Sequence, residues 1–195
     1  MRKKLLIGLG AVAALLVVAV VVVAMQPTEF RVVRTATISA PPAAIFPHVN
    51  DLQKWQAWSP WAKLDPNAKN SFAGPTAGKG ASFHWAGNDE VGEGTMTIID
   101  SRPNELVRMK LEFIKPFEDT CMTDFTFQPD GDKTIVTWDM TGQNNLMGKA
   151  MCLFMDMDKC VGDQFNDGLN NLAKIVETTP ATISETTVEP PVASP

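Results

Sequence analysis

Tyrosine is missing altogether, so no phenol is available as an acid, a base or a nucleophile. Histidine is nearly missing too: His48 and His84 are the only ones, and two without an obvious third donor make a poor metal site. Cysteine occurs three times, as Cys121, Cys152 and Cys160. The odd number excludes a fully paired intramolecular set, and the spacing matches no zinc pattern. On one straight helix Cys152 and Cys160 would stand about 12 Å apart, too far for a disulfide unless the chain bends or Cys121 pairs with one of them. The plainer expectation is three small, partly buried apolar side chains. No Ser-His-Asp signature, glycine-rich phosphate loop or His-Glu-x-x-His motif is present. No acid precedes Glu29, whereas Arg2, Lys3 and Lys4 crowd the N-terminus. The rest of the chain is therefore more acidic than the formal net charge of −5. An acidic body repels phosphate backbones, which argues against nucleic acid as a partner.

Long uncharged runs occur once. Leu5 to Met25 carries no charge and, at about 1.5 Å per residue, is long enough to cross a hydrocarbon core of about 30 Å. The preceding cations orient such a helix with its N-terminus in the cytoplasm. The expectation is a single-pass anchor in a bacterial-type inner membrane, with the body on the periplasmic or extracytoplasmic side. A cleaved signal peptide is the competing reading, with small residues at Val22 and Ala24. Its apolar run would be unusually long.

Residues 26–29 form a linker, and residues 30–177 read as one folded domain. Phe30–Ile38 is rich in β-branched residues and reads as a strand. Pro42 opens a short helix through Val49, and Asp51 caps a second one, Leu52 to Trp58. A turn-rich stretch from Asp65 to Gly80 follows, with a weak strand around Ser71–Ala73. Five strand candidates come next: Ala81–Ala86, Gly92–Asp100, Glu105–Ile114, Thr120–Gln128 and Lys133–Thr141. Short breaks between them suit an antiparallel meander. Val107, Met109, Leu111 and Phe113 alternate with Arg108, Lys110 and Glu112, the period of a sheet wet on one face and dry on the other. Cys160, Val161, Gln164, Phe165, Gly168, Leu169, Leu172, Ile175 and Val176 recur three or four apart, as on an amphipathic helix. Residues 178–195, rich in Thr and Pro, read as a disordered tail.

Several runs carry a family resemblance. Ala40-Pro41-Pro42 precedes Phe46-x-x-Val49-Asn50-Asp51, and Trp55-Gln-Ala-Trp58-Ser59-Pro60-Trp61 follows. Gly80-Ala-Ser-Phe-His-Trp85-x-x-Asn88, Val91-Gly92-Glu93-Gly94-x-x-Thr97-Ile98 and Phe154-Met-Asp156-x-Asp158 lead to Phe165-x-x-Gly168-Leu169-x-x-Leu172. Together they resemble the START-like SRPBCC superfamily, in its polyketide cyclase/dehydrase-like subgroup, across Phe30 to Glu177. The resemblance implies an α+β helix-grip fold: a curved antiparallel β-sheet wrapped around a long C-terminal α-helix. It also implies a cavity between the two that often holds apolar ligands. One fold hosts many functions, so the subgroup label alone is no evidence of cyclase chemistry.

Within that frame Trp58, Trp61, His84, Met109, Phe125, Trp138, Met151, Met155 and Phe165 are the candidate cavity residues. Trp55, Trp58 and Trp61 stand one helical turn apart, and read either as a wall at a cavity mouth or as an apolar plug under the short helices. Of His84 and Trp85, neighbours on a strand, one must face the cavity. Glu93, between Gly92 and Gly94, reads as a buried proton-transfer carboxylate or an exposed strand residue at a bulge or close backbone approach. Asp124 and Asp139 pose the same choice, and His48 reads as a surface residue. The methionines near the helical region could line an adaptable pocket or simply fill core. The function expected is binding of a hydrophobic small molecule or lipid, with no cofactor and no metal. The alternatives are a cyclase- or dehydratase-type enzyme using Glu93, His84 or Asp124, and an envelope interaction domain without a ligand.

Overall fold

Alternating polar and apolar residues build the molecule around one seven-stranded antiparallel sheet. The computed structural model describes residues 2–151, 153 and 156–178, without the side chains of 2–9, 11–13 and 157. The expected tail lies outside the described residues, apart from Thr178. The helices are α1 (Arg2–Ala24), α2 (Pro42–Asn50), α3 (Leu52–Trp55), α4 (Leu146–Met151) and α5 (Met157–Thr178). The strands are β1 (Glu29–Ile38), β2 (Lys69–Ala73), β3 (Ser82–Ala86), β4 (Glu93–Arg102), β5 (Leu106–Lys115), β6 (Asp119–Asp130) and β7 (Lys133–Gln143). The spatial order is β1-β7-β6-β5-β4-β3-β2, so the first strand returns beside the last and the rest form a meander.

The alternation decides which face is dry. Val32, Ile38, Phe83, Met96, Ile98, Val107, Met109, Phe125, Phe127, Val136 and Trp138 are all buried on the concave face. From α5, Phe165, Leu169, Leu172 and Val176 bury the helix's apolar stripe against that face. α2 and α3 contribute Ile45, Phe46, Val49, Leu52 and Trp55 to the same core. This is the expected helix-grip arrangement, an α+β fold with α5 laid on the sheet.

Most boundaries shift by one or two residues from those expected, and two of the shifts have a clear local cause. The second short helix ends at Trp55, and Trp58 sits in the turn that follows, its amide donating to the Trp55 carbonyl at 3.3 Å. The approaching Pro60 disfavours helical backbone just before it. β6 continues through Pro129, which pairs with Thr134 at the strand's end, and the reversal is made by Gly131 at φ +64°. Asp51 caps α3 as expected, its Oδ1 accepting from the Gln53 amide at 3.0 Å. His48 differs from a surface residue: it is half-buried, and that burial lowers its pKa.

Two contacts among those that hold α5 bear directly on its stability. Gly168 lies against the aromatic core, and a β-carbon there would stand 2.8 Å from the Trp138 ring. At the helix start, Arg34 of β1 donates to the Asp158 carbonyl at 2.8 Å and to its carboxylate at 3.0 and 3.1 Å. Those hydrogen bonds hold the Asp158 carboxyl below the ordinary carboxylate range.

Gly168→Val should lower unfolding stability by about 2 kcal/mol, read from urea midpoints, because the added carbons overpack a filled core. The Asp158 contribution is complete above the ordinary carboxylate range and is lost as pH falls through that range and below it. Melting temperatures of wild type and Asp158→Asn should therefore differ at neutral pH and converge in acid.

Candidate ligand-binding face

The concave face divides into a filled centre and an apolar end that stays partly open. Trp138 of β7 is the middle of the filled part. Its ring stacks on Phe165 of α5 with centroids 4.0 Å apart, and lies 4.6 Å from Phe125 of β6. Trp55, Trp58 and Trp61 each meet it edge-on, at 5.5, 5.7 and 5.9 Å. Their spacing in sequence thus builds a plug. Such edge-on pairs each add about 0.5–1.5 kcal/mol beyond area burial. The polar atoms are matched as well: Trp138 Nε1 donates to Thr123 Oγ1 at 2.9 Å, and Trp58 Nε1 to the His48 carbonyl at 3.0 Å.

The candidate cavity residues fall into separate groups. Trp58, Met109, Phe125, Trp138 and Phe165 are fully buried members of the core. Trp61 is half-buried at its margin, and Met151 is half-buried on α4. Met155 lies outside the described residues.

His84 is not on this face. It pairs with Thr95, its Nδ1 lying 3.2 Å from Thr95 Oγ1, on the convex side. Register gives the inward position to its neighbour Trp85, which packs on Phe83 and Phe113. Glu93 is also convex. Lys115 Nζ lies 2.7 Å from its carboxylate, and His84 Nε2 lies 4.0 Å from it. The hydrogen bond from Lys115 lowers the Glu93 pKa, opposite to a raised proton-transfer carboxyl. The flanking glycine Gly94 has a packing reason: a β-carbon there would stand 2.6 Å from the Trp85 ring. Asp124 is convex too, with Arg108 Nε donating to it at 2.8 Å. No inward carboxylate or imidazole is formed by these three.

The open end lies where β1 starts and β7 finishes. There Phe30, Trp61, Trp85, Leu111 and Phe113 pack against the core yet remain only partly buried. Phe30 pairs with Gly142, Gly142 with Cys121, and Cys121 with Leu111, so these positions form one row across the concave face. Phe113 and Trp85 flank Gly94 in the next row out. The sequence did not mark Phe30, Leu111 or Phe113 as lining residues, and it offered Trp85 only as the alternative to His84. The signal was available in the alternation of β5, which puts Leu111 and Phe113 on the face of Met109. A separate open groove of about 130 Å³ lies between α3 and the outer strands, lined by Leu52, Gln53, Phe72 and Pro75 among others, and includes none of the candidate cavity residues.

Cys121 is a member of that row. It is buried, and loss of hydration pushes its thiol up to about 12. Cys160 departs from the expected burial: it is exposed on the first turns of α5. Cys152 lies outside the described residues. Among the described residues, no three His, Cys, Asp or Glu side chains gather as metal donors.

The profile of the family described as polyketide cyclase / dehydrase and lipid transport matches residues 29–177. No curated protein matches the chain. Among solved structures, protein CV1439 from Chromobacterium violaceum is similar at 16% identity and TM-score 0.55, covering 78% of this chain and 99% of that one. Protein MLL2253 from Mesorhizobium loti is similar at 16% identity and TM-score 0.57, covering 77% and 98%. The Aha1 dimer from Colwellia psychrerythraea is similar at 14% identity and TM-score 0.55, covering 76% and 97%. At these identities the likeness is one of fold.

Treatment of the native protein with iodoacetamide near pH 8 should alkylate Cys160 and spare Cys121, whereas denaturant should expose both. Peptide mass spectrometry reads the two sites separately. Equal native labelling would contradict the burial of Cys121.

Proposed function

The chain belongs to the polyketide cyclase / dehydrase and lipid transport family, and from that premise we propose that it binds an apolar or amphipathic small molecule, lipids included, at the open end of its concave face. The observation that carries this reading is the half-exposed set of Phe30, Trp61, Trp85, Leu111 and Phe113 on a face that is dry elsewhere. Apolar surface gains about 25 cal/mol per Å² when removed from water, so five such side chains favour an apolar occupant.

The second half of the proposal is that Leu5 to Met25 anchors the domain in a membrane, with Arg2, Lys3 and Lys4 on the cytoplasmic side and the body on the outer side. Among the residues described with side chains, no helix is long and apolar enough to cross a membrane. The support comes from the uncharged run itself, and from Leu15, Leu16, Val17, Val18, Val20 and Val21, which are exposed all round α1. A helix apolar on every side needs either a protein interior or a bilayer.

One observation favours a ligandless interaction domain instead: the aromatic plug already fills the centre of the space beneath α5. No such observation supports acid–base chemistry through His84, Glu93 or Asp124.

Full-length protein extracted from a bacterial envelope should carry a co-purifying lipid or hydrophobic compound at near one-to-one occupancy in non-denaturing mass spectrometry. Leu111→Glu together with Phe113→Glu should weaken its retention by about tenfold or more, since the polar groups remove apolar contact. Empty wild-type protein, with no thermal shift across a lipid and polyketide panel, would sink the binding reading and leave the ligandless domain.

A further inference from the structure

The chain joins α1 to the sheet through a very short connection. Met25 to Thr28 separate α1 from β1 and can span at most about 14 Å when fully extended. Even that reach is restrained. The Asn144 amide donates to the Thr28 carbonyl at 2.7 Å, and its side chain to the Pro27 carbonyl at 3.1 Å. Lys149 of α4 donates to Thr28 Oγ1 at 3.0 Å and to the Ala24 carbonyl at 3.4 Å, placing a cation at the negative end of the α1 dipole. One end of the domain is thereby fixed beside the end of α1.

That same end exposes large apolar side chains. Leu146 is 67% exposed and Met147 50% exposed on α4, and Met25 is 80% exposed just after α1. Ile114 closes β5 at 44%, and Phe117 stands at 41% in the turn to β6. Register brings them together: β1 begins opposite the end of β7, β7 ends opposite the start of β6, and β6 starts opposite the end of β5. Asn145 Nδ2 reaches the Glu118 carbonyl at 3.4 Å, joining the start of α4 to the β5–β6 turn.

We infer that this end of the domain is a bilayer-docking face, in which Phe117, Leu146 and Met147, flanked by Met25 and Ile114, enter the interfacial zone of the membrane that receives α1. The inference rests on the anchor reading above, and adds an orientation that the reading alone does not contain. The occupant is a lipid surface because the patch is continuous with the end of an apolar helix and cannot move away from it. The charges say how it docks. Lys115 is held by Glu93 and Lys149 by the end of α1, while Glu118 is exposed in the same turn. No surplus of cations faces outward there, so apolar insertion rather than attraction to anionic lipid drives the contact. The open end of the concave face points the same way, so a lipid would meet it without crossing water.

The test uses the full chain in phosphatidylcholine vesicles and nanodiscs. Flotation after an alkaline wash reads the anchor. A gadolinium chelate on a fraction of the lipid headgroups reads orientation, through amide signals in the NMR spectrum. Expected is retention in the floating fraction, with amides of residues 114, 115, 117–119 and 145–148 attenuated about threefold more than Asn104, Glu105, Gly131 and Asp132 at the far end, unchanged by salt. Phe117→Ser with Leu146→Ser should still float, keep its melting temperature and lose that difference. Flotation with equal attenuation of both ends, or a difference that survives the double variant, would overturn the docking face while leaving the anchor standing. Failure to float would overturn the anchor and the docking face with it.

Discussion

The stacking of Trp138 on Phe165 is the contact on which the rest of the arrangement depends. It joins the middle of the sheet to the middle of α5, with ring planes 8° from parallel. Everything near it is shaped to that stack. Gly168 leaves room for the Trp138 ring one helical turn along from Phe165, and α3 with its following turn delivers Trp55, Trp58 and Trp61 to the ring's edges. Asn171 of α5 donates to the Trp58 carbonyl at 3.2 Å, tying the helix to that turn a second time. A core closed so firmly at its centre leaves its apolar surplus at one end. Phe30, Leu111 and Phe113, left half-buried, lie toward the start of β1.

The convex face shows the opposite economy. Asp124 and Asp139 stand directly opposite each other in the β6–β7 register, a pairing of like charges that is unfavourable by itself. Arg108 holds one and Arg31 the other, so a row of alternating partners crosses β5, β6, β7 and β1. Lys110 with Glu112, and Lys115 with Glu93, continue the pattern. Exposed pairs of this kind add little stability one by one. Their effect is to keep the solvent face wet and its register unambiguous, which accounts for the carboxylates better than acid–base chemistry does.

Much of the fold was legible because its signals are periodic. The alternation through Val107, Met109, Leu111 and Phe113 set the strand and its dry face, and the three-four spacing from Val161 to Val176 set α5. The spacing of Trp55, Trp58 and Trp61 already suggested a plug. What stayed hidden depends on facts a single strand does not carry. His84 and Trp85 are adjacent, and only the pairing of Phe83 with Met96 decides which of them turns inward. Glu93 looked ambiguous between its glycines, since neither Lys115 nor the ring over Gly94 is near it in sequence. The open end was missed because it is a property of what does not cover Phe30 and Phe113, whereas sequence patterns report only what is covered.

The clamp of Asn144 and Lys149 on Pro27, Thr28 and Ala24 also limits what kind of worker this domain can be. A carrier that shuttles cargo between two membranes needs slack. A connection of four residues, hydrogen-bonded to the domain at Pro27 and Thr28, provides none. With α1 in a bilayer, the domain would stay at its station, and any cargo it holds would leave only by return to the same leaflet or by hand-over to an acceptor that comes to it.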